Sequence, residues 1–335
     1  MQICLHLLEA KAKFPLVFGF IGPKGVGKST LAYQLAEFLL CENRRGEVTF
    51  FPVEKLGGCK ECLSCRYVAK KEHPDLLFLE PKGQNIRIGD VKILQEKITL
   101  LPAIGKWKVV LIFEGEKLNM ESSNALLKTL EEPPPHLRIF FITHREKFLP
   151  ATLASRLFKI YFPPLSSLEI ADILKKQQNL TPHQIAAYLA LHWDGVDPLV
   201  LKNWDRFQIW LENAPEWIWK MFNQEESSLF SELENIEKSA LHQEYLNFLG
   251  NFYRNLARQK TLPSENNPVF LQALGMEKAW AYQNLLQGYS LAKIFDSFQI
   301  ILESRAAIDQ NASKDLSLEA CWVRLKKIYQ GESVY

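Results

Sequence analysis

Between residues 16 and 163, short runs of almost uninterrupted apolar residues alternate with longer stretches whose apolar positions recur every three to four residues. That alternation predicts a parallel β-sheet covered by helices. Residues 16–21 (LVFGFI) read as the first strand, and a glycine-rich turn leads into a helix over 28–40. Residues 76–79, 109–113, 139–143 and 158–162 supply four more strands. Residues 109–113 (VVLIF) hold no polar position, as expected of a strand buried on both faces. A helix over 89–99 is expected to turn Val91, Ile93, Leu94 and Ile98 inward, and one over 119–130 is stopped by Pro133, Pro134 and Pro135.

Past Pro164 the strand pattern ends. Ser167 opens a helix, and Thr181 as N-cap with Pro182 in the first turn introduces another, closed by Asp194-Gly195. A short helix from 198 to about 204 follows. The remainder reads as helical and tryptophan-rich, with a polar loop near 262–268. The expected organisation is an α/β P-loop domain over 1–164, a small three-helix domain over 165–205 and an all-α domain over 206–335.

Composition narrows the class. The 335 residues carry 40 Lys+Arg against 38 Asp+Glu, a formal charge of +2, which argues against a free-standing nucleic-acid binder with a large basic field. A hydrophobic share of 47% excludes an intrinsically disordered chain. No apolar run approaches the roughly 18 residues that span a bilayer. The opening MQICLHLLEAKAK lacks the order of a secretion signal, so a soluble cytoplasmic protein with no membrane contact is expected.

The strongest chemical signal is Gly22-Pro23-Lys24-Gly25-Val26-Gly27-Lys28-Ser29-Thr30, a complete G-x-x-x-x-G-K-[ST] between a predicted strand and a predicted helix. Its glycines let backbone N–H groups wrap a phosphate chain at a helix N-terminus, Lys28 reaches the β and γ phosphates, and the Ser29 hydroxyl is placed for Mg²⁺. Hydrolysis needs an aspartate on a neighbouring strand end for Mg²⁺ and a glutamate to polarise water. The strand end here reads Phe113-Glu114-Gly115-Glu116. Phe113 cannot ligate a metal, so ATP binding with poor turnover is expected, Glu114 keeping the catalytic position and Glu116 a partial substitute.

A second signal is Cys59-x-x-Cys62-x-x-Cys65, with Cys41 upstream at the end of the P-loop helix. Two-residue spacers present successive sulfurs to one tetrahedral Zn²⁺, and nothing in the set leaves an open coordination position, so a structural zinc is expected. His73 is the rival fourth ligand. Cys4 and Cys321 read as packed thiols. The third signal is Asn124-Ala-Leu-Leu-Lys-Thr-Leu-Glu-Glu-Pro-Pro134, then Thr143-His144, then Ser155-Arg156. Beside the last strand of a P-loop domain, Arg156 either reaches a phosphate held by a neighbouring subunit or makes a surface salt bridge.

In this order, the P-loop, the cysteine insertion after its helix, the NALLKTLEEPP helix and Leu153-Ala154-Ser155-Arg156 resemble bacterial DNA polymerase III clamp-loader subunits, an AAA+ family, over about residues 15–165. The resemblance implies ATP or ADP on residues 22–30, zinc on Cys41, Cys59, Cys62 and Cys65, and a trans-acting arginine. The family's Ser-Arg-Cys reads Ser155-Arg156-Leu157 here, and Thr143 falls near the γ-phosphate sensor. The motor subunits' Asp-Glu-x-His strand end is Phe113-Glu114-Gly115-Glu116, which aligns the chain with the delta-prime type rather than with gamma/tau. The resemblance further implies a three-helix lid and a helical oligomerisation collar. Its implied partners are gamma/tau motors and a delta subunit in a hetero-pentameric ring, with the sliding clamp and primer–template DNA reached through that complex. Two alternatives stay open, a gamma/tau-type motor in which Glu114 and Glu116 suffice for Mg²⁺, and a nucleotide-independent adaptor with a vestigial P-loop.

Overall fold

The computed structural model describes residues 15–44, 56–83, 85–178, 180–191, 195–202, 204–205, 242–261, 279–309 and 312–332. Its contacts divide the chain into two compact units between Pro164 and Leu165.

The first unit is a five-stranded sheet of β1 (Val17–Ile21), β2 (Leu76–Leu79), β3 (Lys108–Phe113), β4 (Leu137–Thr143) and β5 (Phe158–Tyr161), in the order β2-β3-β4-β1-β5 with all pairs parallel. Every residue of β1 and β4 is buried, which is why these strands read as continuous apolar runs. β5 is an edge strand with Phe158 and Tyr161 exposed, and it ends at Tyr161, one residue short of expectation, although Phe162 N still donates to Ile21 O at 2.7 Å. β4 begins two residues early because Leu137 and Arg138 pair with Lys108 and Val109. The Arg138 guanidinium is covered by the Trp107 ring, 4.0 Å from its centroid, so a charged residue is tolerated in a buried strand.

Helix α1 (Lys28–Leu40) lays Leu31, Leu35 and Leu39 on the sheet. Helix α2 (Leu63–Ala69) was not anticipated; the Cys62 sulfur accepts from Cys65 N at its N-cap. Helix α3 (Ile88–Thr99) buries Val91, Leu94 and Ile98, but Ile93 is 54% exposed, contrary to expectation. Residues 91, 94 and 98 fall on one stripe of a 3.6-residue period, and position 93 lies beside it. Helix α4 (Met120–Glu131) is capped by Asn119, whose side chain accepts from Ser122 N at 2.8 Å. A four-residue helix, α5 (Ala151–Ala154), precedes β5.

The second unit holds α6 (Ser167–Gln178), α7 (Pro182–Leu191), α8 (Pro198–Lys202), α9 (His242–Thr261), α10 (Ala279–Gly288), α11 (Leu291–Asp309) and α12 (Lys314–Gln330). Thr181 and Gln184 exchange side chain–backbone bonds in a capping box at the start of α7. One apolar core joins Ile170, Leu174 and Tyr188 to Phe248, Phe252 and Trp322. Cys321 is fully buried in it, as expected, whereas Cys4, Asp194 and the predicted loop near 262–268 lie outside the described residues. Among the described residues, no helix is long and apolar enough to cross a membrane.

Candidate functional site

The carboxyl ends of β1, β3 and β4 meet at the edge of the sheet where P-loop folds take their ligands. In-register pairing sets Ile21 beside Thr143, and Gly22 N continues the ladder to Thr143 O at 3.3 Å. The turn after β1 needs its glycines. Gly22 has φ +155°, and a Cβ there would stand 2.2 Å from the Phe162 carbonyl oxygen; Gly27 has φ +92° and is the N-cap of α1. Among the described residues, no side chain caps that helix end. Lys28 is buried, its ammonium donating to Gly22 O at 2.6 Å and to Pro23 O. Val26 packs inward, Lys24 and Thr30 are exposed, and Gly25 and Ser29 are half-buried. An uncapped helix N-terminus with a buried lysine beside it fits the phosphates of a nucleotide.

The donor set at the end of β3 does not fit Mg²⁺ equally well. The Phe113 ring packs against Tyr33 of α1, centroids 5.9 Å apart, and offers no ligand atom. Glu114 adopts the left-handed conformation, φ 50°, and pairs with Lys117 at 2.7 Å. Glu116 accepts from the Thr143 hydroxyl at 2.7 Å and from His144 N at 3.3 Å. Both carboxylates that follow the strand are thus engaged by protein donors. Burial, reinforced by Lys28 and Lys24, pushes His144 down to about 3, so this imidazole is neutral at physiological pH. Its Nδ1 is enclosed without a hydrogen-bond partner among the described residues.

Arg156 follows α5. Its guanidinium donates to Thr152 O and to the Glu131 carboxylate at the end of α4, and its side chain stays 31% exposed. Leu157, where the family motif has cysteine, is buried over Gly19, whose missing Cβ would stand 3.0 Å from the leucine Cδ1. The larger side chain is accommodated by a glycine in β1.

The structure gathers Cys41, Cys59, Cys62 and Cys65 with their sulfurs all within 4.8 Å of one another. The Cys41–Cys62 and Cys59–Cys65 separations are 4.0 and 3.9 Å. A tetrahedral Zn²⁺ with 2.3 Å bonds places its sulfurs about 3.8 Å apart, so the donor set fits that ion. The loop before Cys59 is folded back onto α1 by Gly57 N to Gln34 O at 3.2 Å and Gly58 N to Glu37 Oε2 at 3.4 Å, which brings the thiols to Cys41 at the helix C-cap. Backbone N–H groups of Cys59, Cys62 and Cys65 and the Asn43 amide point at the sulfurs, donors suited to thiolates. N–H bonds from Cys62 and Glu61 lower Cys59 to about 6, whereas burial raises Cys41 and Cys65. His73 lies outside this group, its Nε2 on Ser64 Oγ at 3.2 Å and its Nδ1 accepting from Asp75 N at 3.1 Å.

Sequence reasoning singled out the P-loop, the cysteines, Thr143 and Arg156. It missed the Thr143–Glu116 bond, the Glu131 partner of Arg156, and Glu37 and Asn43 beside the cysteines. No spacing rule links residues 25 to 27 positions apart. The Glu-Glu before the prolines of α4 was the one visible sign of an acidic helix end.

Comparison with known proteins agrees with this geometry. Residues 6–166 match the family described as DNA polymerase III, delta subunit. DNA polymerase III subunit tau of Salmonella typhimurium is 32% identical over 169 residues, 50% of this chain and 24% of that protein. Subunit delta' of Pseudomonas aeruginosa is 34% identical over 151 residues, 44% of this chain and 43% of that protein. The chain therefore spans less than half the length of these two relatives. A solved DNA polymerase III gamma-subunit-related protein of Thermotoga maritima aligns with 98% of this chain and 99% of its own at 17% identity and a TM-score of 0.47, too loose a likeness to carry an assignment. Residues 6–166, which hold the P-loop, the four cysteines and Arg156, are thus similar to DNA polymerase III subunits of the delta' and tau types.

Proposed function

We propose that this chain is a non-motor subunit of a ring-shaped clamp loader, one that binds ATP or ADP but hydrolyses it poorly. In this reading it also holds a structural Zn²⁺ on Cys41, Cys59, Cys62 and Cys65 and offers Arg156 to ATP bound by a neighbouring motor. Its partners are gamma/tau-type motors and a delta-type subunit, joined through the helical collar over 206–335, with the lid over 165–205. The sliding clamp and primer–template DNA are handled by the assembled ring during replication.

The observation that carries this reading is Phe113 at the end of β3, packed on Tyr33 where a motor subunit needs a metal-binding carboxylate. Bound Mg²⁺ neutralises charge on the transferring phosphoryl group, and a chain that cannot hold it firmly loses that stabilisation. Glu114, the other element of turnover, is turned left-handed and pairs with Lys117. Binding does not need either group, because the P-loop backbone and Lys28 meet the phosphates directly. Lys28 holds the β and γ phosphates, and the uncapped first turn of α1 supplies the N–H donors.

The trans role is supported by the placement of Arg156 on the surface after α5, with its side chain partly solvent-facing and outside its own P-loop. An arginine supplied to a neighbour's phosphoryl group accelerates turnover about 10³-fold or more at the site it serves. The test is the ATPase of the complex assembled from this chain and its motor partners. Arg156→Ala is expected to lower turnover there while leaving the isolated chain's nucleotide affinity unchanged, and unaltered turnover would overturn the trans role.

A further inference from the structure

We infer that Glu131 is the positioning residue of Arg156, holding its partly exposed guanidinium in one orientation at the end of α4, the orientation from which it meets a neighbour's phosphate. The inference rests on the trans role proposed above.

The backbone of Arg156 has little freedom. Ser155 N donates to Ala151 O and Arg156 N to Leu153 O, each at 3.0 Å, while Leu153, Ala154 and Leu157 are buried on either side. The remaining freedom is in the long side chain, and two contacts restrict it. One terminal nitrogen, Nη1, donates to Thr152 O in α5, and the other, Nη2, to the carboxylate of Glu131. Glu131 is the last residue of α4, so its charge adds to the negative end of that helix, the end at which a cation is favoured. Two short helices thereby grip the arginine from one side.

The grip leaves the residue able to act. A guanidinium carries five N–H donors, and these two contacts use two of them. Because the side chain is 31% exposed and Glu131 50% exposed, water screens the pair and it orders the arginine without trapping it. An arginine otherwise surrenders a large rotamer entropy when it engages a phosphate, and ordering it beforehand removes part of that loss at the step where charge develops. The effect should appear in turnover and not in the affinity of the neighbour's ATP, which its own P-loop sets.

The experiment measures steady-state ATPase of the assembled complex carrying wild-type chain, Glu131→Gln, Glu131→Asp, Arg156→Ala or the Glu131→Gln/Arg156→Ala double variant. Glu131→Gln keeps the side chain's shape and removes its charge. It is expected to lower kcat about two- to fivefold within the turnover that Arg156→Ala removes, the range open to one exposed ion pair. KM for ATP should stay unchanged, Glu131→Asp should retain most of the activity, and the double variant should equal Arg156→Ala alone. Turnover of Glu131→Gln equal to wild type, with Arg156→Ala impaired, would overturn the positioning role and leave the trans role standing. A Glu131→Gln loss that persists in the double variant would assign Glu131 a merely structural part. If Arg156→Ala itself turns over normally, the trans role fails and this inference fails with it.

Discussion

Thr143, the last residue of β4, donates its hydroxyl to Glu116 Oε2 at 2.7 Å, tying the strand end nearest the P-loop to the turn that follows β3. The bond explains how Glu116, three residues beyond Phe113, where a metal-binding carboxylate is wanted, is held away from that role. Thr143→Val keeps the side-chain shape, removes the donor, and leaves a half-buried carboxylate with its bonds from His144 N. A loss of about 1–2 kcal/mol is expected, the worth of a hydrogen bond to a charged group in a partly wet setting. The shift in urea midpoint at neutral pH measures it, and an unchanged midpoint would mean that water replaces the hydroxyl without loss.

The P-loop turn tolerates no side chain at its first glycine. At Gly22 a Cβ would meet the Phe162 carbonyl oxygen at 2.2 Å, and φ +155° is strained for any L side chain. Gly22→Ala is therefore expected to displace the loop and to weaken nucleotide binding at least tenfold, a factor equal to about 1.4 kcal/mol and within the 1–3 kcal/mol such backbone strain costs. Gly83→Ala, at a positive-φ glycine with open space around its Cβ position, serves as the comparison for backbone strain without a clash. Titration of a fluorescent adenine nucleotide reads both, and equal affinities for the two variants would contradict the steric account.

His144 is expected to make stability depend on pH. Its value falls from an ordinary 6.5 to about 3 in the folded chain, so between those limits the unfolded chain binds a proton that the folded one refuses. Stability then rises with pH, and it is lost as pH falls below about 6.5, at up to about 1.4 kcal/mol per pH unit. Burial lowers His73 as well, in the same direction. Urea midpoints at pH 7.5, 6.0 and 5.0 should fall with acidification, and His144→Gln should flatten part of that slope. Parallel curves for the two proteins would show that His144 carries none of it.

The four thiols should bind one Zn²⁺ per chain in protein purified without chelator. Cobalt substitution should give the intense absorption of a tetrahedral thiolate site, and Cys41→Ser should weaken metal retention because only three sulfurs remain. Metal binding requires deprotonated thiols, so retention should fall as pH is lowered. Stripping the ion should lower the thermal midpoint. Metal analysis without stoichiometric zinc would refute the site.

Much of this molecule was legible from its sequence, and the exceptions have physical reasons. Strands β1, β3 and β4 are buried on both faces and read directly as apolar runs. The P-loop was visible because its glycines, lysine and hydroxyls lie within nine consecutive residues. Helix α2 escaped because its seven residues sit among the cysteines, where capping by Cys62 has no pattern beyond the metal motif itself. Ile93 was misassigned because a helix face is defined by angle, and an apolar residue beside the stripe looks like one on it. The Arg156–Glu131 and Thr143–Glu116 pairs join separate elements, so only the folded sheet brings them together.

This chain is expected to bind nucleotide without turning it over, because Phe113 stands where a metal-holding carboxylate is needed. The most direct measurement is ATP binding and steady-state hydrolysis by the isolated chain, with Lys28→Ala as the control. The expected result is saturable binding at or below millimolar nucleotide, lost in Lys28→Ala, with turnover at background. Robust hydrolysis abolished by Lys28→Ala, or no binding at millimolar nucleotide, would contradict it.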